Sequence, residues 1–141
     1  MVQGVPYRLS VLTPERPVFE EDVVSIVAPG SEGYLGVLAH HAPLITALAP
    51  GKLTITEPDG HVEEYAVSGG FLEVGGNEAI LLADTIEAAS EVDVERARRA
   101  EERARERLKG IRSDIDYPRA WSALARAQNR LRIAEAIAAQ R

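Results

Sequence analysis

Residues 91–108 read "EVDVERARRAEERARERL". Before Ser90, apolar residues tend to recur at every second position. From here on they recur at steps of three and four. A strand repeats one face every two residues and a helix every 3.6, so this stretch marks the border between a β region and a helical one. It also packs six arginines, Arg96 to Arg107, into twelve residues among glutamates and alanines. The functional question follows from that composition: a solvated charged face, or a surface that holds something negative.

Upstream of the border the pattern is β. "YRLSVLT" alternates from Tyr7 through Leu9 and Val11, the mark of a half-buried strand. "DVVSIVAP" and "HVEEYAVSGG" are rich in β-branched residues and bounded by Gly or Pro. "EPDG" at 57–60, between "KLTIT" and "HVEEYAV", has hairpin chemistry, because Gly60 tolerates positive φ. Gly75-Gly76-Asn77 in "VGGNEAILLAD" repeats the device. Short strands at such spacing predict an antiparallel β-sandwich or barrel over residues 1–86.

Downstream, over residues 87–141, two helices are expected. Asp93 and Asp116 are candidate N-caps, and Pro118 sits in a first turn where its missing donor costs little. Ala97, Ala100, Ala104, Leu108 and Ile111 form one stripe. Ala120, Leu124, Ala127, Leu131, Ala134 and Ala138 form another, both with the spacing of a packing seam. The short "KGIRSD" connection at 109–114 then predicts an antiparallel hairpin. The expected fold class is α+β: an N-terminal antiparallel β-sandwich followed by a C-terminal antiparallel two-helix hairpin.

Charge divides at the same border. The chain has 141 residues and a net charge of −6, but residues 1–92 carry −11 and residues 93–141 carry +5. Such asymmetry points to modules with different partners. Nucleic acid fits poorly, because the acidic half would be repelled and aromatics for base stacking are scarce. The absence of cysteine excludes disulfides and thiolate metal sites. No apolar run approaches a membrane span, and "MVQGVPYRLS" lacks a signal-peptide core, so a cytoplasmic, soluble chain is expected, free to dock on a membrane complex.

Catalytic chemistry is not indicated. "GSEGYLGVL" has glycines but no Gly-Lys-Ser/Thr to hold phosphate and magnesium, and reads as a turn or bulge. His40 and His41 are adjacent and would point to opposite faces of a strand; with only His61 besides, no metal site is expected. No Ser/His/Asp spacing suggests a triad. Trp121, beside the second seam, reads as a core anchor or a partner contact.

The arginines carry more. Arg119, Arg126 and Arg130 share one stripe of the second helix, and Arg96, Arg103 and Arg107 repeat those spacings in the first. Folded about the 109–114 connection, the two stripes fall on the same side, with Arg96 near Arg130 and Arg103 near Arg126. Some charges have helical partners at i,i+4: Glu95 with Arg99, Arg98 with Glu102, Glu101 with Arg105. Arg126 and Arg130 have no acid three or four residues away, and they stand four apart from each other. A convergent guanidinium set suits a phosphate chain or an acidic protein surface.

Three stretches then make the chain resemble a known family over essentially its whole length. They are "GSEGYLGVLAHHAPLITAL", "VSGGFLEV" with "ILLADTIE", and "DVERARR" followed by "DIDYPRAWSALARAQNRLRIAE". The chain resembles the epsilon subunit of bacterial F-type ATP synthase. The resemblance implies a non-catalytic subunit of the central stalk, peripheral on the cytoplasmic face of the cell membrane. Its sandwich would grip the gamma subunit and the c-subunit ring. Its helices would lie folded, or extend toward the alpha and beta subunits and hinder ATP hydrolysis.

In some bacterial members the folded hairpin binds ATP through an Ile/Leu-Asp-x-x-Arg-Ala motif, which "VDVERA" matches with Val92 in the first place. The implied ATP-binding set is Glu87, Asp93, Arg96, Ala97, Arg103, Arg119, Arg126 and Arg130, with ATP as a regulatory ligand rather than a catalytic cofactor. Arg126 and Arg130 would neutralise phosphates with help from Arg103 and Arg119; Arg107 falls outside the family's set. A hairpin that inhibits without appreciable ATP binding is the alternative the resemblance leaves open. For the c-ring the implied contacts are Glu32 and His41, on loops expected at one end of the sandwich; many relatives carry an acid where this chain has Tyr34.

Overall fold

The computed structural model describes residues 4–92, 94–109 and 117–139. The chain divides into two compact units, Met1–Ala88 and Ala89–Arg141.

The first unit holds eight strands: β1 Tyr7–Leu12, β2 Pro17–Val23, β3 Ser25–Gly30, β4 Gly33–Val37, β5 Leu44–Leu48, β6 Gly51–Thr56, β7 Val62–Gly75 and β8 Glu78–Ala88. They are hydrogen-bonded in the order β2-β1-β8-β7-β5-β3-β4, with β6 pairing both β3 and β7. All pairings are antiparallel except one. β1 lies parallel to β8, with Leu9 opposite Ala79 and Val11 opposite Leu81. That pairing joins the chain's first strand to its last, a long-range match that no local turn signal specifies.

Alternation fills the core. Leu9 and Val11 of β1, Ile26 of β3, Leu53 and Ile55 of β6, Leu72 of β7 and Leu81 of β8 are fully enclosed in one cluster. Burying each large aliphatic side chain contributes roughly 1.5–3 kcal/mol over leaving it exposed. Tyr7 adds a polar tie inside: its hydroxyl donates to the Val37 carbonyl at 2.7 Å, and burial pushes the phenol pKa up.

β7 reverses its face midway. Val67 points into the core, but beyond the bend it is Leu72 and Val74 that do, an odd-to-even change. Gly69 and Gly70 supply it, with φ of 75° and 117°. The first half of β7 pairs with β6 and the second with β5, so one strand serves two parts of the sandwich. A Cβ on Gly70 would stand 1.8 Å from the Leu82 carbonyl oxygen, which leaves room for hydrogen only.

Both predicted turns occur. Gly76 and Asn77 link β7 to β8 with φ of 58° and 59°, the left-handed pair of a type I′ hairpin. At the other turn, the Gly60 amide donates to Glu57 O (3.0 Å) and the Glu57 amide to His61 O (2.9 Å). "DVVSIVAP" is not one strand. It breaks at Val24, between β2 and β3, because both flanking valines must face inward: Val23 and Val24 are each buried.

The second unit opens on a short 3-10 turn, Ala89–Glu91, and continues as α1 Val94–Leu108 and α2 Tyr117–Ala139. Pro118 occupies the first turn of α2 as expected. Asp93, Ile111 and Asp116 lie outside the described residues.

Candidate functional site

The hairpin is antiparallel. Arg98 near the start of α1 reaches Glu135 near the end of α2, Nη2 to carboxylate at 3.7 Å, and α2 runs back beside Ala89–Glu91. Ala97 and Ala104 of α1 meet a seam in which Ala120, Leu124, Ala127 and Ala134 are buried. At the α2 end the stripe differs from expectation. Leu131 is only half-buried, while Ile133 and Asn129 are buried. The α2 face therefore rotates slightly across the helix, and it takes in one polar side chain among the alanines.

Local ion pairing also departs from the simple rule. Glu101 pairs with Arg105 at 3.0 Å as the i,i+4 spacing predicts. Glu95 takes Arg98 at i,i+3 rather than Arg99, and Arg98 turns to Glu135 rather than Glu102. The inter-helix acid competes successfully because Arg98 lies at the margin of the seam. The Arg98 pairs are exposed and each contributes well under ~1 kcal/mol, while Glu101 is partly buried beneath Arg105.

Of the implied nucleotide residues, Arg126 and Arg130 are half-buried on α2, whereas Arg96, Arg103 and Arg119 are exposed. Ala97 is buried in the seam. Arg103 lines an open concavity on α1 with Arg99, Arg107, Glu102 and Glu106, so its surroundings are of mixed charge. Glu87 belongs to strand β8, opposite Ala66, in the sandwich unit. Asp93 lies outside the described residues.

The two implied ring contacts do not share a loop. Glu32 is exposed in the turn between β3 and β4. His41 lies beyond the far end of β4, in the turn that leads to β5, its Nδ1 2.7 Å from Ala42 O. Five residues of strand separate the two turns, a rise of roughly 16 Å. The His41 turn is instead tied to the β7–β8 turn: His40, left-handed at φ 62°, donates its amide to Asn77 Oδ1 at 2.8 Å. Neither histidine is on a strand. At the Glu32 end, the Tyr34 hydroxyl accepts from the Lys52 amide at 3.0 Å, which joins β4 to β6.

A surface the sequence reading did not isolate lies on the outer face of the sandwich. Ile45, Phe71, Ile80 and Leu82 are exposed at 73%, 57%, 37% and 49%. The register puts them on one face: Phe71 stands opposite Ala47 and Leu82, Leu82 opposite Leu12, and Ile45 and Ile80 flank the exposed Glu73. The signal was present in "AILLAD", where consecutive apolar residues give β8 two apolar faces. Trp121 on α2 is 60% exposed, so it is not a core anchor.

Fold and surface define a class: a two-module protein, a β-sandwich with exposed apolar side chains followed by an arginine-rich helical hairpin. Family comparison names it. The model for "ATP synthase, Delta/Epsilon chain, beta-sandwich domain" matches residues 6–89, and the corresponding "long alpha-helix domain" matches residues 90–135. The chain belongs to the ATP synthase delta/epsilon chain family.

Among its relatives, the ATP synthase epsilon chain of Moorella thermoacetica is 50% identical over 92% of this chain and 96% of the relative. That of Carboxydothermus hydrogenoformans is 56% identical over 72% of this chain and 75% of the relative. A chain in the Euglena gracilis mitochondrial ATP synthase structure, OSCP/F1/c-ring in rotational state 1, is similar with a TM-score of 0.70 and 25% identity. The match covers 98% of this chain and 84% of that one. A chain of the Tetrahymena thermophila central stalk/c-ring structure shares the fold at a TM-score of 0.67 and 16% identity, over 94% and 99%. Among the described residues no helix is long and apolar enough to cross a membrane.

Proposed function

We propose that the chain is the epsilon subunit of a bacterial F-type ATP synthase, a non-catalytic part of the central stalk. It would work at the cytoplasmic face of the membrane by coupling rotor to catalytic head. The observation that carries this is the exposed apolar face of Phe71, Leu82 and the nearby Ile45 on the sandwich, in a chain whose two modules each match the family. Large apolar side chains exposed together on one face suit an interface. Its occupant in this reading is the gamma subunit, with Glu32 and His41 as separate candidate contacts to the c-subunit ring. The hairpin is held by an alanine seam and exposed ion pairs, which suits an element that docks and opens. Opened, its basic face would meet acidic segments of the alpha and beta subunits and hinder hydrolysis.

Closed, the hairpin would bind ATP as a regulatory ligand. Support comes from Arg126 and Arg130, cations drawn partly out of water, where a guanidinium binds phosphate more strongly than on an open surface. Calorimetry with ATP on the isolated chain tests this directly. Saturable heat supports the sensor, and no heat at millimolar ATP leaves a purely inhibitory hairpin. Single cysteines at positions 32 and 41, cross-linked in the assembled complex, decide which turn meets the ring.

A further inference from the structure

At the β6–β7 turn two carboxylates from core-side positions converge on one imidazole. His61 Nε2 lies 2.8 Å from Glu63 Oε1 and 3.8 Å from Glu57 Oε2. One donor atom from each of the three residues lies within 4.8 Å of the others. The backbone explains the convergence. Glu57 and His61 face each other across the turn, closed by the Glu57 amide donating to His61 O, and Glu63 follows His61 by one strand period. The His61 amide also donates to Asp59 Oδ1 at 2.9 Å, which fixes the loop's tip.

Glu57, His61 and Glu63 continue the inward face that carries Leu53, Ile55 and Tyr65, past the point where the core ends. A carboxylate from another strand adjoins the group: Glu21, on β2 opposite the buried Leu9, is near enough to the Glu57 carboxyl to raise its pKa.

We propose that Glu57, His61 and Glu63 form a binding site for a divalent transition cation of the zinc class, at the end of the sandwich bounded by β2, β6 and β7. The donor chemistry is one imidazole nitrogen and two carboxylate oxygens, with water as the fourth ligand. Zinc takes nitrogen and oxygen donors at about 2.0–2.2 Å in tetrahedral array, which sets donors about 3.3 Å apart. The distances of 2.8 and 3.8 Å bracket that spacing, so binding requires only small side-chain rotations. Glu21 acts one step out, as a positioning carboxylate for Glu57. The local charge also favours a cation, since Glu57, Asp59 and Glu63 surround a single imidazole. Magnesium is disfavoured, because it avoids nitrogen donors and keeps its water.

The two carboxylates and the imidazole must be deprotonated to ligate, so affinity falls on acidification.

The test is calorimetric and NMR titration of the tag-free full chain with zinc chloride at pH 7.5, with 15N-labelled histidine. One saturable site is expected, with the His61 ring nitrogens shifted and EDTA reversing the change. His61→Ala and Glu63→Gln should each lower affinity at least ten-fold, and binding at pH 5.5 should be weaker by a similar factor. His40→Asn should bind as the wild type does. Absence of saturable binding at millimolar zinc overturns the proposal. So does unchanged affinity in both variants, or displacement of zinc by an equal concentration of magnesium. If a variant fails to fold, the imidazole shifts of the wild-type chain decide the matter alone: zinc that leaves His61 unmoved refutes the site.

Discussion

Arg126 carries the sharpest prediction at the scale of single residues. If it holds a phosphate, Arg126→Ala loses about 1.5–3 kcal/mol of ATP affinity, the worth of a hydrogen bond to a charged group, read as a change in Kd by calorimetry. Unchanged affinity would place the nucleotide elsewhere. Glu57 makes a second prediction, in pH. Its pKa is raised by desolvation first and then by the neighbouring Glu21 carboxyl. A raised folded pKa means that folding favours the protonated form. The stabilising contribution is therefore full below the unfolded value and lost as pH rises through the folded one. Glu57→Gln, permanently neutral, should match the wild type in urea melts at pH 4 and exceed it at pH 8, with EDTA present throughout. A deficit at pH 8 would mean that attraction to His61 outweighs desolvation.

At the scale of elements, the β7 bend and the hairpin seam differ in kind. Gly70→Ala adds a Cβ at a left-handed position facing the Leu82 carbonyl. Strain of this type costs about 1–3 kcal/mol even without a clash, so the variant should melt well below the wild type. A melting point within a degree would show that the strand can shift. Leu81→Ala, in the closed core, should cost about 2–5 kcal/mol in chemical denaturation. The hairpin seam buries mainly alanines, each worth roughly 0.8 kcal/mol per methyl-sized group. Amide hydrogens of α1 should therefore exchange much faster than those of β7 and β8. Equal protection would exclude a hairpin that opens readily.

For the whole molecule, the apolar face is the feature to perturb. Phe71→Lys alters an exposed side chain, so the melting point of the isolated chain should hardly move while co-purification with the gamma subunit is lost. Retained assembly would assign the face another role. Most strands, both hairpin turns and the helix pair were legible because each depends on neighbours in sequence; "GSEGYLGVL", read as a turn or bulge, instead carries strand β4, Gly33–Val37, whose place is set by pairing with β3. Gly76-Asn77 and Pro118 act locally, and the change of period after Ser90 needs no tertiary knowledge. The arginine stripes were legible for the same reason, since helical spacing alone aligns them. Arg98 was misassigned because its partner, Glu135, is 37 residues away in the chain. Glu57, His61 and Glu63 escaped a motif reading that looked for histidine pairs. Their convergence depends on one turn and one strand period.

The amino-acid sequence by itself determined the two-module plan, the alternating core of the sandwich, the alanine seam and the basic stripes. Periodicity and turn chemistry act within a few residues and survive any arrangement of the rest. Only the tertiary structure decided the parallel β1–β8 pairing, the face reversal at Gly69–Gly70 and the wide separation of Glu32 from His41. It alone assembled Ile45, Phe71 and Leu82 into one surface, and brought Glu21 to Glu57. Each of these rests on registers between strands distant in the chain, and register follows from burying all the inward faces at once.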